Sequence, residues 1–231
     1  GQTLCFKGFS LRFMTGLRSY FLFNALYFAG VVVISLVQGF SPSGIHPVTA
    51  VLAVSFGALF VATMLSYFEA MKRGPLSYTT LIMTFGLLVP ILAGLVLWQE
   101  RIAPLQWAGL ALLLVTFFFI TRPAREAPVK PSLSWVLLSL AAFAGNGALL
   151  TLSKAQQMAL PGQQIKEFLV LAFGTAAVLS LVLALVLRRG GDIAPMKSPL
   201  LAGLVAGAGI TTAFGNQINI MLSGRVPGVI L

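Results

Sequence analysis

Of the 231 residues, 58% are hydrophobic and only 9% charged, and the mean hydropathy is +0.96. Counted with its glycines and without its tyrosines, the chain is about 66% apolar where soluble domains run at about 45–50%, which excludes an ordinary water-soluble domain and makes lipid the main solvent. Fifteen Lys and Arg against five Asp and Glu give a formal charge of +10, yet these cations stand in short clusters between long apolar runs. With no RNA-binding or zinc-finger signature among them, they fit topology signals and headgroup contacts, and no nucleic-acid partner is expected. The one cysteine, Cys5, excludes an intrachain disulfide and a Cys-rich metal site, and the one histidine, His46, lies beside Pro47 with no acid next to it. Neither metal nor cofactor is expected, and no signal peptide is visible ahead of the first apolar run.

A helix needs about 20 apolar residues to cross a hydrocarbon core of about 30 Å. Runs of that length bounded by charge, Pro or Gly predict seven spans, at 18–38, 47–70, 75–98, 103–121, 133–156, 165–187 and 199–222. Polar residues inside them are the informative ones, because each has to face protein or water. In the first span Tyr20, Asn24 and Tyr27 follow i, i+4, i+7 on one helical face. The second ends on Tyr67 and Glu69, the acid nearest a span interior. In the third, Thr80 and Thr84 share a face one turn below Pro90, whose missing N–H frees the carbonyl of Gly86 and kinks the helix, as a hinge or as a static packing feature.

The fourth span is apolar and leads into the only sizeable polar stretch, the linker 122–132, with its prolines and charges. Asn146 sits mid-way along the fifth span between two glycines. In the last span Asn216 and Asn219 follow Thr212 by four and seven residues, and Gly203 with Gly207 forms a small-residue packing face. Trp98, Trp107 and Trp135 all fall at span ends, where an aromatic belt explains them without substrate. Each polar side chain taken singly is accounted for by a hydrogen bond between neighbouring helices. As a set they form a candidate substrate cavity: Tyr20, Asn24, Tyr27, Tyr67, Thr80, Thr84, Pro90, Asn146, Asn216 and Asn219.

Laying 198–231 on 46–79 without a gap pairs Pro199 with Pro47, Ala202 with Ala50, Leu204 with Leu52, Gly209 with Gly57, Arg225 with Arg73 and Pro227 with Pro75. A second match, at a shift of 147, pairs Lys154 with Lys7 and Phe168-Leu169 with Phe21-Leu22. A five-span repeat is odd-numbered, so its copies must lie in the membrane with opposite orientation. The expected fold class is an all-α integral membrane protein: an inverted-repeat helical bundle of two five-helix repeats, about ten transmembrane helices when complete and a fragment here. The first repeat would occupy 1–121 with its opening helix truncated, and the second 133–231 with its last helices truncated.

Lys7, Arg12, Arg18, Lys72, Arg73, Arg122, Arg125, Lys130, Arg188, Arg189 and Lys197 fall on one side of the membrane, against Arg101, Lys154, Lys166 and Arg225 on the other. The richer side is expected to face the cytoplasm.

The stretch Tyr67-Phe68-Glu69-Ala70-Met71-Lys72-Arg73-Gly74-Pro75-Leu76-Ser77, then Pro90, then Trp98-Gln99-Glu100-Arg101-Ile102-Ala103-Pro104-Leu105-Gln106-Trp107-Ala108-Gly109 resembles the EamA domain of the drug/metabolite transporter superfamily. In that family an "A-l-k-x-g-p-a-s" turn, a mid-helix Pro and a "g-E-r-l-x-x-x-q-x-x-G" turn recur in this order. The likeness is clearest over about 67–120. It implies a ten-helix secondary transporter whose central cavity is lined by the first four helices of each repeat. The chain departs from the usual pattern in two ways: family members usually keep both termini in the cytoplasm, whereas the cation count puts those of the complete ten-helix chain outside, and the second copy of the "g-E-r-l" turn would lie beyond Leu231.

The expected function is secondary-active transport by alternating access, exporting or exchanging a small amphipathic metabolite or drug across the plasma or inner membrane. The alternatives are a lipid-carrier flippase of the same superfamily, a membrane-embedded enzyme and a structural membrane protein. An enzyme would need an intramembrane carboxylate pair, a His cluster or a Ser-His dyad, and none is in the chain, so no enzyme is expected. The expected partners are a small-molecule substrate, membrane lipid and, as coupling ion, the proton. Glu69 is the candidate for proton coupling, since a carboxylate at the low-dielectric end of a span can bind and release a proton as access alternates. The competing reading makes it an interface ion pair with Lys72 and Arg73, three and four residues on. Glu100 with Arg101 reads as a local turn pair.

Overall fold

The structure, a computed structural model, describes residues 16–37, 39–40, 44–99, 104–120, 132–187, 205–206, 209–210 and 212. Every regular element among the described residues is helical: α1 (Leu17–Val37), α2 (Pro47–Arg73), α3 (Leu76–Thr84), a 3-10 turn (Phe85–Leu87), α4 (Leu88–Leu97), α5 (Pro104–Ile120), α6 (Leu133–Ala159) and α7 (Ile165–Val186). The spans Leu17–Val37, Pro47–Arg73, Tyr78–Leu97, Leu133–Ala159 and Ile165–Val186 are long and apolar enough to cross a membrane. The 17 residues of α5 reach about 25 Å. In lipid every backbone N–H and C=O must be satisfied within the chain, and helices do this segment by segment. The protein is accordingly an all-α integral membrane protein.

The observed helices start and stop close to the expected spans, with α2 and α6 each running three residues further. Local chemistry explains the ends. Pro47 and Pro104 open α2 and α5 at the position where a missing N–H costs nothing. His46 caps α2, its Nδ1 accepting from the backbone N–H of Val48 at 3.3 Å. Gly74 and Pro75 close α2, with the Gly74 N–H returning to the carbonyl of Ala70 at 3.1 Å. Gln164 opens α7 at a φ of 54°, in the left-handed region. Its carboxamide holds the turn, donating to the Gly44 carbonyl at 2.7 Å and accepting from the His46 N–H at 2.9 Å.

The described residues fall into two compact units, one holding the chain up to Val61 and from Ala155 onward, the other Ala62–Lys154.

In the first unit α1 packs along α7. Phe28 meets Phe173 with ring centroids 5.9 Å apart, while Gly39 lies beside the Lys166 ammonium. Numbers rise along one helix as they fall along the other, so the two run antiparallel. The start of α2 is tied to the start of α7 through His46 and Gln164, and further along Gly57 touches the Ala172 carbonyl so closely that a Cβ there would overlap it. These two helices therefore run parallel. Phe28, Phe56, Phe60, Phe168 and Phe173 close the space between α1, α2 and α7, with Phe28–Phe60 at 5.3 Å and Phe56–Phe168 at 5.4 Å, both edge to face. Such pairs add about 0.5–1.5 kcal/mol beyond their burial.

In the second unit the end of α2 packs antiparallel to the start of α6, Gly145 against Thr63 and Gly74 against the Trp135 indole. The 3-10 turn approaches α6 backbone to backbone: a Cβ on Gly86 would lie 2.9 Å from Gly147 N and from Phe143 O. Leu and Val side chains on α4 and α5, among them Leu92, Val96, Leu112 and Val115, are exposed.

Candidate functional site

The polar residues singled out from the sequence lie in both units. In the first unit, Tyr20, Asn24 and Tyr27 sit on the buried face of α1. They are enclosed by protein, with Tyr27 donating to or accepting from Thr212 at 2.6 Å. Asn24 is 1% exposed, and neither its Oδ1 nor its Nδ2 has a hydrogen-bond partner among the described residues. A buried carboxamide left this way costs about 1–3 kcal/mol for each unsatisfied group. Asn216 and Asn219 lie outside the described residues.

In the second unit, the Tyr67 hydroxyl on α2 bonds the Thr80 hydroxyl on α3 at 2.9 Å, and Thr84 returns its hydroxyl to the Thr80 carbonyl at 2.8 Å. Pro90 is buried two residues into α4, directly after the 3-10 turn. Tightening of the helix there falls where Pro90 cannot donate to Gly86, which is the local reason for the break. Asn146 reaches across from α6 and donates to the carbonyl of Met83 at 3.0 Å, so its amide serves the broken helix. Gly86 and Gly147 let the two backbones come close enough for that bond.

Glu69 pairs with Lys72 at 2.8 Å and with Arg73 at 3.4 Å, the i+3 and i+4 partners on its own helix. Lys72 also stands 4.3 Å over the Phe68 ring. Glu100 and Arg101 fall outside the described residues.

Two features escaped the sequence reading. Lys154, read there as a topology cation and as the repeat partner of Lys7, is 4% exposed and sits over the Trp98 ring at 4.9 Å, a contact worth about 0.5–2 kcal/mol as water is excluded. Ser139 and Ser180 are fully buried, with hydroxyls unpartnered among the described residues. Helical serines normally return the hydroxyl to the carbonyl four residues back, so sequence alone carries no sign of the difference.

The tryptophans correct one expectation. Trp107 is exposed, as a belt residue would be, but Trp135 is buried and donates its indole N–H to Thr79 Oγ1 at 2.8 Å, and Trp98 covers Lys154. Two of the three are held by partners in the second unit, and for Trp135 the bare Gly74 leaves room for the indole.

No protein-family model matches the chain, and no solved structure matches it. A Pseudomonas aeruginosa protein named Uncharacterized transporter PA0485 is 29% identical over 126 residues, covering 54% of this chain and 40% of that protein. The chain thus matches less than half the length of this relative.

Proposed function

We propose that the protein is a secondary-active transporter that exports or exchanges a small amphipathic solute by alternating access between two inverted repeats, as the EamA likeness implies. It is a multi-pass helical membrane protein similar to a protein named a transporter, and that similarity favours transport over enzymatic chemistry. The plasma or inner membrane is the proposed location.

One observation carries the reading. Helices α1 and α7, related by the shift of 147, pack directly on each other and antiparallel. A two-fold axis in the membrane plane passing between these two helices would place them in this way, which supports the reading. The same contact buries the polar face of α1, where Asn24 is unpartnered among the described residues, and an intramembrane polar group of this kind marks a solute path more readily than a packing seam. The proposed cavity takes Tyr20, Asn24 and Tyr27 from α1 together with Asn216 and Asn219. Tyr67, Thr80, Thr84, Pro90 and Asn146 belong to the element proposed to flex.

The test is growth and uptake in cells expressing the full-length protein, against a panel of amino acids, nucleobases and toxic analogues. The expected result is altered tolerance or flux for at least one solute, abolished by Asn24→Leu and by Asn219→Leu with membrane insertion retained. Normal transport by both variants would remove these residues from the solute path.

A further inference from the structure

We propose that Asn24 of α1 and Ser180 of α7 form one recognition point for an uncharged, planar ligand that presents a donor and an acceptor side by side, as an amide, a lactam or a nucleobase edge does. This rests on the transport reading and names the class of substrate.

The first ground is the state of the two side chains. Asn24 is 1% exposed and Ser180 0%, and three polar atoms, Asn24 Oδ1, Asn24 Nδ2 and Ser180 Oγ, have no partner among the described residues. Ser35, Thr151 and Thr175 show what such hydroxyls ordinarily do here, each bonding the carbonyl four residues back at 2.8 Å. Ser180 forgoes that bond at a site with no access to bulk water.

The second ground is register. Phe28 packs on Phe173 in the antiparallel pair. Four residues back along α1 is Asn24, about 6 Å away at 1.5 Å per residue, and about 6 Å onward along α7 is residue 177. Ser180 lies one turn beyond, on the buried stripe of Phe173, Ala176 and Ala184. The two unpartnered groups therefore stand within about one turn of each other on facing helices.

The third ground is charge. Residues 19–61 and 168–187 contain no Asp, Glu, Lys or Arg. A charged ligand group beside Asn24 would meet no counter-ion from α1 or α7 beyond their first turns, where Arg18, Lys166 and Glu167 lie, or from the part of α2 packed against them, and an uncompensated charge in a low-dielectric site is strongly disfavoured. The aromatic rings of Tyr27, Phe28 and Phe173 favour a flat solute. A carboxamide matches another amide reciprocally: Asn24 Nδ2 donates to the ligand carbonyl, the ligand N–H donates to Asn24 Oδ1, and the Ser180 hydroxyl takes the second lone pair of that carbonyl.

The experiment is thermal unfolding of the purified full-length protein in lipid nanodiscs with benzamide, benzoate or benzylammonium, which share a ring and differ in charge and hydrogen-bonding edge. Benzamide is expected to raise the midpoint in a saturable way, with the two ions having no effect at the same concentrations. Asn24→Leu and Ser180→Ala are each expected to weaken benzamide binding at least tenfold while leaving the unliganded midpoint equal or higher, since an apolar replacement relieves an unpartnered buried group. Ser180→Ala removes a single oxygen and carries the test if Asn24→Leu folds poorly. No shift with benzamide, an equal shift with either ion, or wild-type affinity in Ser180→Ala would overturn the assignment. Flux of another solute in proteoliposomes, with no benzamide binding, would remove this site and leave transport standing. Benzamide binding as described without flux of any solute would do the reverse.

Discussion

The close approach at the broken helix can be tested with one methyl group. In Gly86→Ala the new Cβ would lie 2.9 Å from Asn146 Nδ2, Gly147 N and Phe143 O. Two of these are backbone atoms, which cannot swing aside, so the 3-10 turn and α6 must part by about 0.5–1 Å to restore ordinary contact. Overpacking of this sort costs about 1–3 kcal/mol. Parting also stretches the 3.0 Å bond from Asn146 to the Met83 carbonyl, and an interhelical bond in a membrane is worth about 0.6 kcal/mol on average. Alanine returns about 1 kcal/mol over glycine through backbone entropy, leaving a net destabilisation of about 0.6–2.6 kcal/mol. The control is Gly109→Ala in α5, where a Cβ meets nothing within 4 Å and the same substitution should stabilise by up to about 1 kcal/mol. SDS titration of both variants in mixed micelles, followed by circular dichroism, reads the difference. Equal midpoints for Gly86→Ala and Gly109→Ala would refute the backbone-to-backbone contact.

Further substitutions probe the other polar groups. Trp135→Phe keeps the ring's bulk but removes the bond to Thr79, and is expected to cost about 1 kcal/mol in the same titration; a change under about 0.3 kcal/mol would mean that the indole N–H is not held there. Tyr27→Phe, which leaves Thr212 without its partner, should destabilise by about 0.6–1.7 kcal/mol, whereas a stabilised variant would contradict the bond. For Glu69→Gln, loss of two surface-type pairs should cost under about 1 kcal/mol and leave any dependence of flux on a pH gradient as in the wild type. Loss of gradient dependence with exchange retained would instead assign Glu69 to proton coupling. Orientation is tested by Ala127→Cys in a Cys5→Ser background: an impermeant thiol reagent added outside intact cells should fail to label it, and ready labelling would place the linker 122–132 outside.

Hydropathy and chain length by themselves determined that this is a helical membrane protein and where its helices begin and end, because lipid leaves the backbone no partners except its own. Local chemistry did as much for the turns: Pro47, Gly74-Pro75 and Pro104 mark helix ends in the sequence and in the structure alike. The spacing of Glu69, Lys72 and Arg73 likewise announced their ion pairs, since neighbours at i+3 and i+4 on a helix face meet whatever surrounds them. Tertiary structure alone decided which polar groups find partners. Asn24 and Asn146 look equivalent in sequence, each a lone amide in an apolar span. Asn146 meets a carbonyl exposed by the break before Pro90, while Asn24 meets none among the described residues. The burial of Lys154 and Trp135 also depends on contacts across 56 residues of chain each, Lys154 with Trp98 and Trp135 with Thr79. A one-dimensional pattern records how polar a position is, but not which helix lies opposite it, and in lipid that second fact sets the cost of every polar atom.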